Sequence, residues 1–125
     1  MSDSSLRGCR VLVVEDEYLL AIELEFHLAE AGAIVLGPAG TIEDAVAIID
    51  AEPAIDGAIL DVNLGGETRF TAADMLLTRG VPFLFTTGYD GSIFPPRFAD
   101  IVRCEKPITV KRVTEVIDRL IHPCG

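Results

Sequence analysis

The stretches Val11-Leu-Val-Val-Glu-Asp16 and Ala58-Ile-Leu-Asp61 decide the fold of this chain. Each is a short apolar run that ends in carboxylates, which is typical of strands buried on both faces of a parallel sheet. Carboxylates at the carboxyl ends of such strands meet in the crevice where open α/β sheets bind ligands. Crowded carboxylates repel one another, and a divalent cation relieves that repulsion. The two stretches therefore predict a metal site in which one carboxylate can act as a nucleophile toward phosphorus.

Length and composition indicate one folded domain. The chain has 125 residues, of which 50% are hydrophobic, so a packed core is expected. The net charge of −10 argues against binding to nucleic acid or to an anionic membrane, because both need a basic surface. No apolar run approaches the ~18 residues of a membrane helix, and the N-terminus lacks a secretory signal. We expect a cytoplasmic protein with tails at 1–8 and 122–125, a single domain at 9–121, and no output domain.

Strands and helices alternate along the sequence. Five strands are predicted, near Cys9–Glu15, Ile34–Gly37, Asp56–Val62, Val81–Thr86 and Ile101–Cys104. Helices are predicted at Glu17–Ala31, from the N-cap Thr41 to Ala51, at Thr71–Thr78, briefly near Pro95-Pro96, and at Thr109–Ile121. Asn63–Gly66 is predicted to be a loop. Short right-handed crossovers give a doubly wound, five-stranded parallel sheet. Of the possible strand orders we choose the flavodoxin-like order 2-1-3-4-5, because its switch point between strands one and three places Glu15 and Asp16 beside Asp61.

The two remaining strands of the predicted rim also end in residues suited to phosphoryl chemistry. Thr87 supplies a hydroxyl after the fourth strand, and Gly88 leaves its backbone N–H open to an anionic oxygen. Lys106 follows the fifth strand, where its ammonium can neutralise a phosphoryl oxygen or a carboxylate. Pro107 is a candidate for a cis peptide bond that fixes the direction of the lysine. Each residue alone also fits an ordinary strand end or turn; their joint placement favours a phosphoryl site.

These residues resemble the receiver domain of two-component response regulators over about Cys9 to Ile121. The resemblance implies that Glu15 and Asp16 are the acidic pair, and that Asp61 is the phosphoacceptor. It implies Mg²⁺ as cofactor, with the backbone carbonyl of Asn63 as a further ligand. By the same resemblance, two residues bind the phosphoryl group: the switch hydroxyl of Thr87 and the lysine Lys106.

Two departures from the usual receiver pattern are present. Arg103 occupies the position, three residues before Lys106, where typical receivers carry an aromatic switch residue. The stretch Phe85-Thr-Thr-Gly-Tyr89 resembles the "FAT GUY" subfamily of receivers. Tyr89 is therefore the candidate moving aromatic, with Asp90–Pro96 as its hinge; the alternative is that Tyr89 merely covers the rim.

The resemblance implies a single-domain response regulator of a phosphorelay. A sensor histidine kinase would donate its phosphoryl group to Asp61, and the signal would leave by protein–protein interaction or by transfer to a histidine phosphotransferase. The partner surface is expected on the last strand, the last helix and Tyr89–Asp100, in a monomer or weak dimer. We expect no enzyme activity beyond self-phosphorylation and dephosphorylation. Two alternatives remain: a degenerate receiver acting as a binding module, and an aspartyl-phosphate phosphohydrolase, which would need Asp-x-Asp where this chain has Glu15-Asp16-Glu17.

Overall fold

The structure, a computed structural model, describes residues 5–64, 67–68, 70–88 and 94–123. The strands in this part of the chain are β1 (Arg10–Val14), β2 (Ile34–Ala39), β3 (Gly57–Asp61), β4 (Asn63–Leu64), β5 (Glu67–Thr68), β6 (Phe83–Thr87) and β7 (Val102–Glu105). The helices are α1 (Tyr18–Glu30), α2 (Ile42–Ala51), α3 (Thr71–Arg79) and α4 (Val110–Ile121). A 3-10 turn at Pro96–Phe98 lies near the prolines, where a short helix is predicted.

Five of these strands form one parallel sheet in the order β2-β1-β3-β6-β7. When the small β4–β5 pair is left out of the count, this is the order 2-1-3-4-5, so the predicted fold class is confirmed. The register places Val14 beside Leu60, and Asp61 beside Thr86. The carboxyl ends of β1, β3, β6 and β7 therefore form one continuous rim.

Alternation along the strands divides the core into two layers. The layer beneath α2 and α3 takes one set of strand residues: Leu12, Val14, Ala58, Leu60, Phe83 and Phe85. The layer beneath α1 and α4 takes the residues between them: Val11, Val13, Ile59, Leu84 and, partly buried, Cys104. The residue that ends each strand therefore lies on a face that can be assigned from its neighbours two positions back.

Local signals in the sequence explain where two helices begin or end. The Thr41 side chain caps α2 by accepting a hydrogen bond of 3.0 Å from the backbone N–H of Asp44. Gly80 ends α3 in the left-handed conformation with φ of 72°, which side chains other than glycine rarely adopt. The N-cap at Thr41 is as predicted from the sequence.

Two local predictions were wrong. The second strand does not end at Gly37 but continues to Ala39, which lies beside Val14. Pro38, which follows a cis peptide bond, is tolerated there because β2 is an edge strand and a missing N–H is harmless on its open side. Asn63–Gly66 is not simply a loop, because β4 pairs antiparallel with β5. Gly65 and Gly66, the rest of that predicted loop, lie outside the described residues.

Within the described ranges, no helix combines the length and the apolar character that a membrane crossing requires.

Candidate functional site

Three residues from three strands meet at the rim of the sheet. Glu15 follows β1, Asp61 ends β3, and Lys106 follows β7. The Lys106 Nζ lies 3.0 Å from Asp61 Oδ2 and 3.4 Å from Glu15 Oε2. Both carboxylates are buried, whereas the lysine is partly exposed. The fold therefore joins residues that are up to 91 positions apart in the sequence.

The carboxylates of Glu15, Asp16 and Asp61 form an acidic cluster whose ligand oxygens lie within 4.8 Å of one another. Asp16 is exposed to solvent, which leaves the cluster open on one side. Glu15 Oε1 is buried and has no hydrogen-bond partner in the described part of the chain. An unsatisfied buried oxygen among carboxylates matches what a hard divalent cation needs, so these residues could hold such a cation.

Glu15 and Lys106 both have raised pKa values, for different reasons. Burial, and next the charge of Asp61, raise the pKa of Glu15 to about 7. The Glu17 N–H, which donates to Glu15 Oε2 at 3.0 Å, and the charge of Lys106 oppose this rise only in part. Burial lowers the pKa of Lys106, but its hydrogen bond to Asp61 and the charges of Asp61 and Glu15 raise it overall. The lysine is thus a fixed positive charge beside carboxylates that repel each other.

Metal binding by the cluster is expected to depend on pH, because Glu15 must lose its proton to become a ligand. Its pKa of about 7 means that protons compete with the metal below neutral pH. We expect the apparent affinity for Mg²⁺ to be about tenfold weaker at about pH 6 than at about pH 8. Isothermal titration calorimetry measures this affinity. The variant Glu15→Gln should bind more weakly but lose this pH dependence; an unchanged dependence would mean that another group is responsible.

The same raised pKa predicts how the stability of the metal-free protein changes with pH. Glu15 binds its proton more tightly in the folded state than at its ordinary pKa of 4.5. Its contribution to stability is therefore fully present below about pH 4.5 and is lost as the pH rises through about 7. Thermal unfolding in a chelator should show this loss for the wild type and not for Glu15→Gln.

The other predicted phosphoryl-binding residues lie along the same rim. Thr87 is buried at the end of β6, and its carbonyl accepts a 2.7 Å hydrogen bond from the Lys106 N–H. Gly88 is exposed, with open space where a side chain would stand. The Lys106–Pro107 peptide bond is cis. The backbone of Asn63 lies in β4, two positions beyond Asp61.

Arg103 is exposed on the edge strand β7, and its guanidinium carbon lies 4.2 Å from the centre of the Phe94 ring. Phe94 in turn packs against Phe85 of β6, with ring centres 4.8 Å apart. Phe98, in the segment Tyr89–Asp100 that is expected to form part of the partner surface, is a fully buried core residue. Tyr89 and residues 90–93, the predicted switch aromatic and most of its hinge, lie outside the described residues.

Sequence reasoning missed the outer face of α1. Four large apolar side chains are exposed there: Ile22 (42%), Phe26 (59%), Leu19 (72%) and Tyr18 (75%). The glutamates exposed beside them are Glu23, Glu25 and Glu30. The signal in the sequence is the four-residue spacing of Tyr18, Ile22 and Phe26, which places all three on one face of the helix. An exposed apolar stripe next to the acidic cluster is a candidate interaction surface.

No model of a known protein family matches this chain. A curated relative, the phyllosphere-induced regulator PhyR of Methylorubrum extorquens, is 35% identical over 120 residues. That match takes in 89% of this chain and 43% of the relative, so the chain spans less than half the length of that regulator.

Two solved structures match this chain along almost the whole length of both molecules. SdrG from Pseudomonas melonis, in its BeF3-activated conformation, is 36% identical with a TM-score of 0.71, over 97% of this chain and 99% of SdrG. The REC domain of the PhyR response regulator from Erythrobacter litoralis is 25% identical with a TM-score of 0.75, over 94% of this chain and 93% of that domain. The fold and the sequence thus point to one group of signalling proteins.

Proposed function

Because this chain belongs to the receiver domains of response regulators, we propose that it accepts a phosphoryl group on Asp61 and signals through a protein partner. The observation that carries the proposal is the contact of Lys106 with Asp61 at 3.0 Å, beside a cluster of three carboxylates. A buried carboxylate held by a lysine and flanked by cation ligands is suited to phosphoryl transfer.

Each residue of the site has its own role in the phosphoryl transfer. An Asp61 carboxylate oxygen forms a bond to phosphorus as the bond from phosphorus to a donor histidine nitrogen breaks, and the imidazole keeps the electron pair. Lys106 neutralises charge on the reacting group. Glu15, Asp16, Asp61 and the Asn63 carbonyl would hold Mg²⁺, which supplies positive charge for the transfer.

The acyl phosphate changes the local balance of charge and hydrogen bonds. It replaces a carboxylate with a group of greater negative charge and more acceptor oxygens. Thr87 and the Gly88 N–H are the donors proposed to bind these oxygens. Shifting a population from ~1% to ~99% active requires about 5.5 kcal/mol, which a few charge-assisted hydrogen bonds can supply.

The proposal is tested by intact-mass spectrometry after incubation with acetyl phosphate, with and without Mg²⁺. A single phosphoryl adduct that requires Mg²⁺ supports it. If phosphohistidine donors as well as acetyl phosphate leave no adduct, the chain is a binding module instead. Release of phosphate well beyond the amount of protein, with no lasting adduct, would indicate a phosphohydrolase.

The outer face of α1 is proposed to receive the protein that donates the phosphoryl group. It begins at Tyr18, two residues after Asp16, so a partner bound there would reach the acidic cluster. Its apolar stripe, flanked by glutamates, suits a helical partner whose apolar seam is bordered by Lys and Arg.

We expect Phe26→Ser to slow phosphotransfer from a phosphorylated histidine kinase domain about tenfold or more, while phosphorylation by acetyl phosphate is unchanged. Phe26 is 59% exposed, so its replacement removes a contact surface without opening a cavity in the core. The matched control is Val102→Ser, which changes another exposed apolar residue on β7. Equal losses with both donors would show that Phe26 supports the fold, not docking.

Signal output is proposed at the opposite edge of the sheet. The edge strand β7 exposes Val102, Arg103 and Glu105 to solvent, so a protein partner has direct access to them. α4 presents Lys111, Arg112 and Arg119 as exposed cations. None of these residues belongs to the exposed apolar stripe of α1, although α4 packs beside α1 in the same layer.

A further inference from the structure

Thr86, the residue before the predicted switch hydroxyl, carries an unusual buried polar group. It is 0% exposed, and its Oγ1 has no hydrogen-bond partner within the described ranges. Buried hydroxyls nearly always have a partner, because the hydrogen bonds lost to water are otherwise not replaced. An apolar side chain of the same shape, such as valine, would fill the same space without this penalty.

The register of the sheet places Thr86 beside the phosphoacceptor. Asp61 of β3 is the neighbour of Thr86 on one side, and Cys104 of β7 is its neighbour on the other. The residues two positions earlier, Ile59 and Leu84, both pack in the layer beneath α1 and α4. Alternation therefore projects Asp61 and Thr86 toward the same face of the sheet.

Thr87 lies on the other face. It follows Phe83 and Phe85, which both pack in the layer beneath α2 and α3. Lys106 comes two positions after Cys104, whose side chain packs in the layer beneath α1 and α4, and its Nζ reaches Asp61. The face that carries Asp61 and Lys106 thus also carries the Thr86 hydroxyl.

We propose that Thr86 is a positioning residue for Asp61, a proposal that rests on the phosphoacceptor function. In the present structure Lys106 holds Asp61 Oδ2. The charge of an arriving phosphoryl group attracts the same lysine. The Thr86 hydroxyl then donates a hydrogen bond to a carboxyl oxygen of Asp61 and keeps that side chain oriented for attack on phosphorus. The Cys104 thiol, whose pKa is raised by burial, stays neutral and is only a weak competitor for this hydroxyl.

The test compares Thr86→Val, which keeps the shape and removes the hydroxyl, with Thr86→Ser, which keeps the hydroxyl. At saturating Mg²⁺ we expect phosphorylation of the valine variant by acetyl phosphate to be about three- to tenfold slower than for the wild type. The serine variant should react within about twofold of the wild-type rate. Mg²⁺ affinity should not change, and metal-free Thr86→Val should melt at a higher temperature because an unpaired buried hydroxyl is gone.

A matched control is Thr114→Val, which removes a hydroxyl that donates to the Val110 carbonyl at 3.0 Å within α4. It should not change the rate of phosphorylation. Wild-type rates for Thr86→Val would overturn the inference, as would equal slowing of the valine and serine variants, which would indicate packing. If the wild type takes no phosphoryl group from any donor, the phosphoacceptor function itself fails, and this inference with it.

Discussion

Asp61→Asn is expected to abolish phosphorylation, lowering the Mg²⁺-dependent adduct at least about 100-fold, because an amide oxygen is not a competent nucleophile. Asn keeps the size of the side chain and can still accept a hydrogen bond from Lys106, so the fold should be retained. The substitution also removes the charge that helps to raise the pKa of Glu15. The adduct is measured by intact-mass spectrometry after incubation with acetyl phosphate.

Asp50→Asn is the matched control, because Asp50 is an exposed carboxylate near the end of α2. It should form the adduct to the wild-type extent. A persistent adduct on Asp61→Asn would contradict the assignment of the phosphoacceptor. Loss in both variants would show that general charge, and not the buried carboxylate, determines the reaction.

Lys106→Ala is expected to separate metal binding from signalling. Mg²⁺ should still bind, and more tightly than in the wild type, because the competing ammonium beside Glu15 and Asp61 is gone. Phosphoryl-dependent binding of a protein partner should be lost, because no cation fixes the phosphoryl oxygens. A partner pull-down, with the phosphorylated and unphosphorylated proteins, measures that loss.

The same variant should be less stable without metal, because two buried carboxylates lose their shared cation. We expect a loss of about 2 kcal/mol at neutral pH, below the 3–5 kcal/mol of a fully buried pair, since the lysine side chain is 23% exposed. Millimolar Mg²⁺ should restore most of the lost stability. Lys111→Ala, which removes an exposed cation of α4, should leave the stability of the metal-free protein unchanged. Wild-type behaviour of Lys106→Ala in partner binding would show that the proposed role is wrong.

The sequence was sufficient to predict the sheet and the meeting of its acidic ends, for a simple physical reason. Strands buried on both faces are almost wholly apolar, so a carboxylate such as Asp61 marks the point where the chain leaves the core. The strand order was predicted from the switch point that such a sheet places between its first and third strands, and the observed order brings Glu15, Asp61 and Lys106 together.

What could not be predicted depends on register and on three-dimensional contacts. Thr86 lies on the same side of the sheet as Asp61 because the two residues are paired in neighbouring strands. This register cannot be seen in the sequence. Pro38 led to the prediction that the second strand ends at Gly37. The strand continues because β2 is an edge strand, where a proline is tolerated, and the edge position of β2 is known only from the fold. The exposure of the apolar outer face of α1 could not be predicted, since exposure is a property of the assembled fold.

Locating the phosphoryl group in the chain tests directly whether Asp61 is the phosphoacceptor. After incubation with acetyl phosphate and Mg²⁺, borohydride reduction converts an aspartyl phosphate into homoserine, and peptide mass spectrometry identifies its position. We predict homoserine at position 61, formed only when Mg²⁺ is present. Homoserine at Asp16 or at any other carboxylate, with Asp61 unmodified, would contradict it.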